Sequence, residues 1–107
     1  MILRIWRAYA EASEADRYPR HLLDKVRPEL EKIAGFRGLY LLERRRGDEV
    51  EFVVQTMWDS MDSVRAFAGA RPDRAVVEPA AAAALLRFDE YVDHYEVLTA
   101  PTGITAT

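Results

Sequence analysis

The chain has 107 residues, half of them hydrophobic and 31% charged, with no cysteine and a formal net charge of −3. That length fits one domain around a single core, and the missing thiols exclude disulfides, thiolate metal sites, iron–sulfur clusters and a catalytic cysteine. The mild negative charge gives no electrostatic reason to expect nucleic acid or an anionic membrane as partner.

The opening Met1-Ile2-Leu3-Arg4-Ile5-Trp6-Arg7 places charges three positions apart, which suits neither a signal peptide nor a membrane span. A cytoplasmic location is therefore expected. From Ile2 to Ala10 the residues alternate, with Ile2, Arg4, Trp6 and Ala8 on one side and Leu3, Ile5, Arg7 and Tyr9 on the other, which predicts a strand. Ser13-Glu14-Ala15-Asp16 offers a hydroxyl cap and acidic first-turn residues, a helix start. The apolar positions Tyr18, Leu22, Val26, Leu30 and Ile33 then recur at helical spacing across Pro19 and Pro28, predicting one bent helix closed by Gly35.

Phe36 to Arg46 predicts a second strand, and the polar Arg44-Arg45-Arg46-Gly47-Asp48-Glu49 a hairpin turn. The arginine triplet is expected to be a solvated tip rather than an anion grip, given Asp48, Glu49 and Glu51 beside it. Val50 to Trp58 is apolar on both sides and is expected to be the most central strand. Asp59 or Ser60 caps a second helix that buries Val64, Phe67 and Ala68. Pro79 starts a short alanine-rich helix through Leu86, and Glu90 to Leu98 forms the last strand. The expected domain is 1–98, with 99–107 as a mobile tail.

This order of elements is the ferredoxin-like βαββαβ pattern: an α+β fold with a four-stranded antiparallel sheet and both helices on one face. The second and third strands put large apolar groups on both sides. The face away from the helices is therefore expected to pack on a second copy, giving a homodimer.

The element order, the strand end Met57-Trp58-Asp59-Ser60 and the last strand Val92-Asp93-His94-Tyr95-Glu96-Val97 resemble the antibiotic biosynthesis monooxygenase family of dimeric α+β barrels over roughly residues 1–98. The resemblance implies a cavity between the sheet and its own helices, and a cofactor-independent monooxygenase acting on a small aromatic or polyketide-type substrate. The alternative is a non-catalytic small-molecule-binding or structural dimer on the same scaffold. Trp58 matches a cavity tryptophan of those enzymes, but their asparagine four residues earlier falls on Val54, which makes no hydrogen bond. The haem-degrading branch needs an asparagine, a tryptophan and a histidine at positions held here by Trp6, Phe67 and Val77, so haem degradation is not expected.

The expected substrate-binding residues are Trp58, Trp6, Phe67 and Tyr40, each also able to serve in packing alone. His94, mid-strand, is the candidate general base if it faces the cavity, and an interface group if it faces the second copy. His21, beside Arg20 on the long helix, is expected to lie near the surface. No metal and no cofactor are expected, because ligands do not cluster at metal spacing and no glycine-rich phosphate loop is present.

Overall fold

The computed structural model describes residues 1–103, so residues 104–107 of the expected tail lie outside the described residues. Strand β1 (Ile2–Glu11) leads through a short 3-10 turn, Ala12–Glu14, into α1 (Arg17–His21). A π-helical turn, Leu22–Val26, joins α1 to α2 (Arg27–Leu30). Strands β2 (Phe36–Arg46) and β3 (Glu49–Trp58) form the hairpin, followed by α3 (Met61–Ala68), α4 (Pro79–Ala83), β4 (Arg87–Phe88) and β5 (Asp93–Glu96). The sheet order is β2-β3-β1-β4, with β5 also on β1, and every pairing is antiparallel. The ferredoxin-like arrangement expected from the sequence is present.

The register assigns the faces. Arg4, Trp6, Ala8 and Ala10 lie opposite Thr56, Val54, Phe52 and Val50. Their partners on β2 and β5 include Leu39, Leu41 and His94. This face packs on the helices around Phe52, Val54, Tyr18 and Leu22. The other face carries Leu3, Ile5, Val53, Met57, Tyr40, Leu42 and Tyr95.

The long helix bends for a specific reason. Pro28 has no amide to donate to Asp24, and its ring would crowd that carbonyl in a regular α-turn. The chain widens instead, and the Arg27 amide reaches the Leu22 carbonyl five residues back. Four residues overshoot an α-turn of 3.6 but undershoot a π-turn. Inserting one lets the every-fourth-residue stripe Tyr18, Leu22, Val26 and Leu30 stay on the sheet. Tyr18, Leu22 and Leu30 are buried. The helix starts later than the sequence suggests: Asp16 occupies the cap position without a side-chain cap, and its carboxylate holds Arg20 at 2.7 Å.

Ser60 does cap α3, in a reciprocal capping box with Ser63. The last strand differs from the expected unbroken Glu90–Leu98. Residues 90–92 leave β1 to meet the segment after α3, with the Ala75 amide donating to Glu90 and the Val92 amide to Asp73. The strand is therefore split into β4 and β5. The alanine-rich helix stops short of Leu86, whose amide is drawn into the sheet by the Tyr9 carbonyl at 2.7 Å. Among the described residues no helix is long and apolar enough to cross a membrane.

Candidate functional site

Between the sheet and the helices lies a cavity of about 80 Å³, walled mainly by Trp6, Leu22, Val26, Val54, Phe67 and Val92. Residues 75–78, which have no regular secondary structure, close one side, and Tyr18 stands behind Trp6 at 5.8 Å between rings. Arg4, His21, Thr56, Glu78 and the Tyr18 phenol interrupt this apolar lining.

Arg4 is placed by strand alternation on the helix-facing side of β1 and is only 5% exposed. Its Nη1 donates to the Pro72 carbonyl and to His94 Nε2 at 2.9 Å, and its Nη2 to the Arg74 carbonyl at 2.9 Å. Of the five N–H groups of a guanidinium, the other two have no protein partner among the described residues. The Arg4 guanidinium also sits 5.6 Å over the Phe67 ring. Burial pulls its pKa down to about 10, with nearby Asp73 opposing the fall, so it stays protonated at neutral pH.

His94 faces the helix side of the sheet, opposite Arg4 in the register. An arginine only donates, so His94 Nε2 must be the acceptor, with the ring proton on Nδ1. Burial and the Arg4 charge both hold its pKa below the ordinary imidazole value. The expected general base therefore lies outside the cavity lining, behind Arg4, with its lone pair already occupied.

Trp6 and Phe67 do line the cavity. Trp6 is held by its indole N–H, which donates to the Asp89 carbonyl at 2.7 Å. Trp58 and Tyr40 do not line it. Trp58 is fully buried, stacked on Phe67 at 5.6 Å and edge-on to Phe36, because the end of β3 turns it under α3 rather than toward α1. Its N–H donates to Thr56 Oγ1 at 2.9 Å, leaving the threonine its own proton to donate. Tyr40 pairs with Gln55 on the opposite face and is 43% exposed. Tyr18, buried against Phe52 and Trp6, remains a neutral phenol, since burial pushes its pKa far up.

Sequence reasoning missed Arg4, Thr56, Glu78 and above all His21. The signal for Arg4 was present, a lone charge on an apolar strand face. His21 was hidden because its facing depends on the π-turn that begins at the next residue. Its side chain is 13% exposed, and its Nε2 is buried without a hydrogen-bond partner.

Trp6, Phe67 and Val77 all line the cavity, and none offers iron a nitrogen lone pair. A porphyrin also needs far more room than about 80 Å³. His21 is the one lining residue with an imidazole nitrogen, so the misfit with haem rests on the cavity's size and on the absence of a ligand at the positions of Trp6, Phe67 and Val77.

Known structures share the fold at low identity. The haem-degrading protein MhuD of Mycobacterium tuberculosis, solved with two haems in its active site, is 20% identical, with TM-score 0.61, covering 94% of this chain and 99% of its own. A putative antibiotic biosynthesis monooxygenase from Deinococcus radiodurans is 16% identical, with TM-score 0.61, over 95% and 97% of the two chains. One from Bacillus cereus is 14% identical, with TM-score 0.62, over the same shares, 95% and 97%. No curated protein sequence matches. The profile of the antibiotic biosynthesis monooxygenase family matches residues 1–79, most of the chain, and the chain belongs to that family.

Proposed function

We propose that the protein is a cofactor-independent monooxygenase acting on a small aromatic or polyketide-type substrate in the cavity between sheet and helices. The observation that carries this reading is the buried cation of Arg4 on the wall of an apolar, aromatic-lined space, with two of its N–H groups unpartnered among the described residues. Such a site binds a flat ring between Trp6 and Phe67 and stabilises negative charge on its oxygen. A phenolate or enolate is the electron donor that O₂ needs in place of a cofactor. The reaction balances without an added reductant: a ring-flanked methylene and O₂ give a carbonyl and water.

The cavity volume sets the ligand's size. A drug-sized pocket is at least about 300 Å³, so a fused-ring substrate enters only by displacing the wall formed by residues 75–78. That same small volume favours the second reading, a binding protein for a compact aromatic molecule without turnover. Either form is proposed to act as a homodimer through the sheet face away from the cavity.

Oxygen uptake with quinols and hydroxylated anthrones, in the presence of a chelator, tests the reading. Wild type is expected to consume O₂ above substrate autoxidation, and Arg4→Met to lower kcat roughly 10²-fold or more, the usual loss for one preorganised charge donor. Uptake no greater than autoxidation would leave only the binding role.

A further inference from the structure

One buried side-chain nitrogen or oxygen among the described residues has no hydrogen-bond partner, and it is His21 Nε2. It belongs to the cavity wall. The acidic group nearest it on that wall is Glu78, whose Oε2 lies 3.9 Å from this nitrogen, beyond hydrogen-bonding distance; the wall's other ionisable groups are Arg4 and the Tyr18 phenol, which burial keeps neutral. The charges on the outer side of α1 are engaged elsewhere: Arg17 with Glu14, and Arg20 with Asp16. An unpartnered polar atom buried in an apolar lining is destabilising unless a ligand meets it.

We propose that His21 is a catalytic residue, the base that takes the proton of an acidic hydroxyl, a phenol or an enol, on the molecule held in this cavity. The proposal rests on the cavity being the binding site, as in the function above. The ligand's O–H bond breaks and an N–H bond forms at Nε2. The electron pair stays on the ligand oxygen, so the total charge of the cavity is unchanged. The new imidazolium is met by the Glu78 carboxylate, and the new oxyanion by the spare N–H groups of Arg4. His94 is the wrong histidine for this task, since its Nε2 lone pair already serves Arg4. The substrate class narrows accordingly, to compact aromatic or enolic molecules with an ionisable hydroxyl.

The probe is 4-nitrophenol, whose phenolate has a visible absorption band that the neutral phenol lacks. Equilibrium dialysis of the full chain gives the amount bound, and the spectrum of the bound fraction gives its ionisation, in buffer on the acid side of the free phenol's titration. Wild type is expected to hold the probe largely as phenolate. His21→Gln, which keeps the size and polarity of the side chain, is expected to bind it still, with the bound phenolate-to-phenol ratio down about tenfold or more, one unit of acidity. Glu78→Gln should fall between the two.

Binding without ionisation in wild type, or an unchanged phenolate fraction in His21→Gln, overturns the assignment to His21 while leaving the cavity as a binding site. No binding to wild type overturns the cavity reading and this proposal together. A haemin Soret shift that vanishes in His21→Gln would give the nitrogen to iron, and also overturns it. Binding with ionisation but no O₂ uptake supports His21 and removes only the oxygenase.

Discussion

Arg4 and His94 act as one unit. The guanidinium holds the carbonyls of Pro72 and Arg74, which lie on the segment leading to the cavity wall, and His94 accepts its remaining strong contact. Because the folded state holds the His94 pKa below its ordinary value, about 6.5, the unfolded chain binds the proton more readily. Stability from this contact is therefore present above that value and is lost as pH falls through the folded pKa. Urea midpoints of wild type should drop between neutral and mildly acidic pH more steeply than those of His94→Asn, which retains an acceptor but does not titrate. Parallel slopes in the two proteins would show that His94 contributes nothing to the pH dependence. The sequence alone left His94 between two faces, because a single mid-strand residue does not reveal its register. The pairing with β1 resolves it, and at the same time turns a candidate base into a support for Arg4. Trp58 shows the converse. Its place at the end of the central strand was legible, but the turn into α3 put it behind Phe67 and left Thr56, to which it donates, at the cavity in its place.

The π-turn is the element the sequence concealed. Apolar spacing of four across Pro28 was readable as a bent helix, yet the widened turn that keeps the stripe on the sheet is a response to Pro28 in its packed context. That turn begins at Leu22, next to His21, and so helps to set which way the imidazole faces. Gly35 was legible as the residue after the helix, but not the second reason for it. It has φ +92°, its carbonyl accepts from the Asp59 amide, and an added Cβ would lie 2.5 Å from Ser63 Cβ at the start of α3. Gly69, at φ +80° and ψ −154° in a region essentially confined to glycine, has nothing within 4 Å of an added Cβ and isolates the backbone cost. Gly69→Ala should cost roughly 1–3 kcal/mol from backbone conformation alone. Gly35→Ala should cost more than that, because Ser63 is fixed by its capping box and cannot retreat. Equal losses in urea denaturation would mean that α3 moves aside freely.

For the molecule as a whole, the two proposed tasks fall on opposite faces of the sheet. The cavity, Arg4 and His21 all lie on the helix side, so the proposed ligand site is built from one protomer. The opposite face is left with Leu3, Ile5, Val53, Tyr40, Leu42 and Tyr95, of which Leu42 is 42% and Tyr95 56% exposed. Charges on that side are largely paired around the apolar residues: Arg44 with Glu51, and Arg7 with Asp93. Burying one leucine- or phenylalanine-sized group gains roughly 1.5–3 kcal/mol, so several together can hold a two-fold dimer against the loss of rigid-body freedom. Leu42→Glu combined with Ile5→Glu places like charges on both copies of this surface. Sedimentation equilibrium should then show the 12.2 kDa protomer, while wild type at micromolar concentration gives twice that mass. The double variant should still bind 4-nitrophenol, since neither substitution touches the helix side of the sheet. A monomeric wild type would remove the dimer. A monomeric double variant that has lost the phenol would mean the cavity depends on its partner, against the independence of the two faces argued from the register.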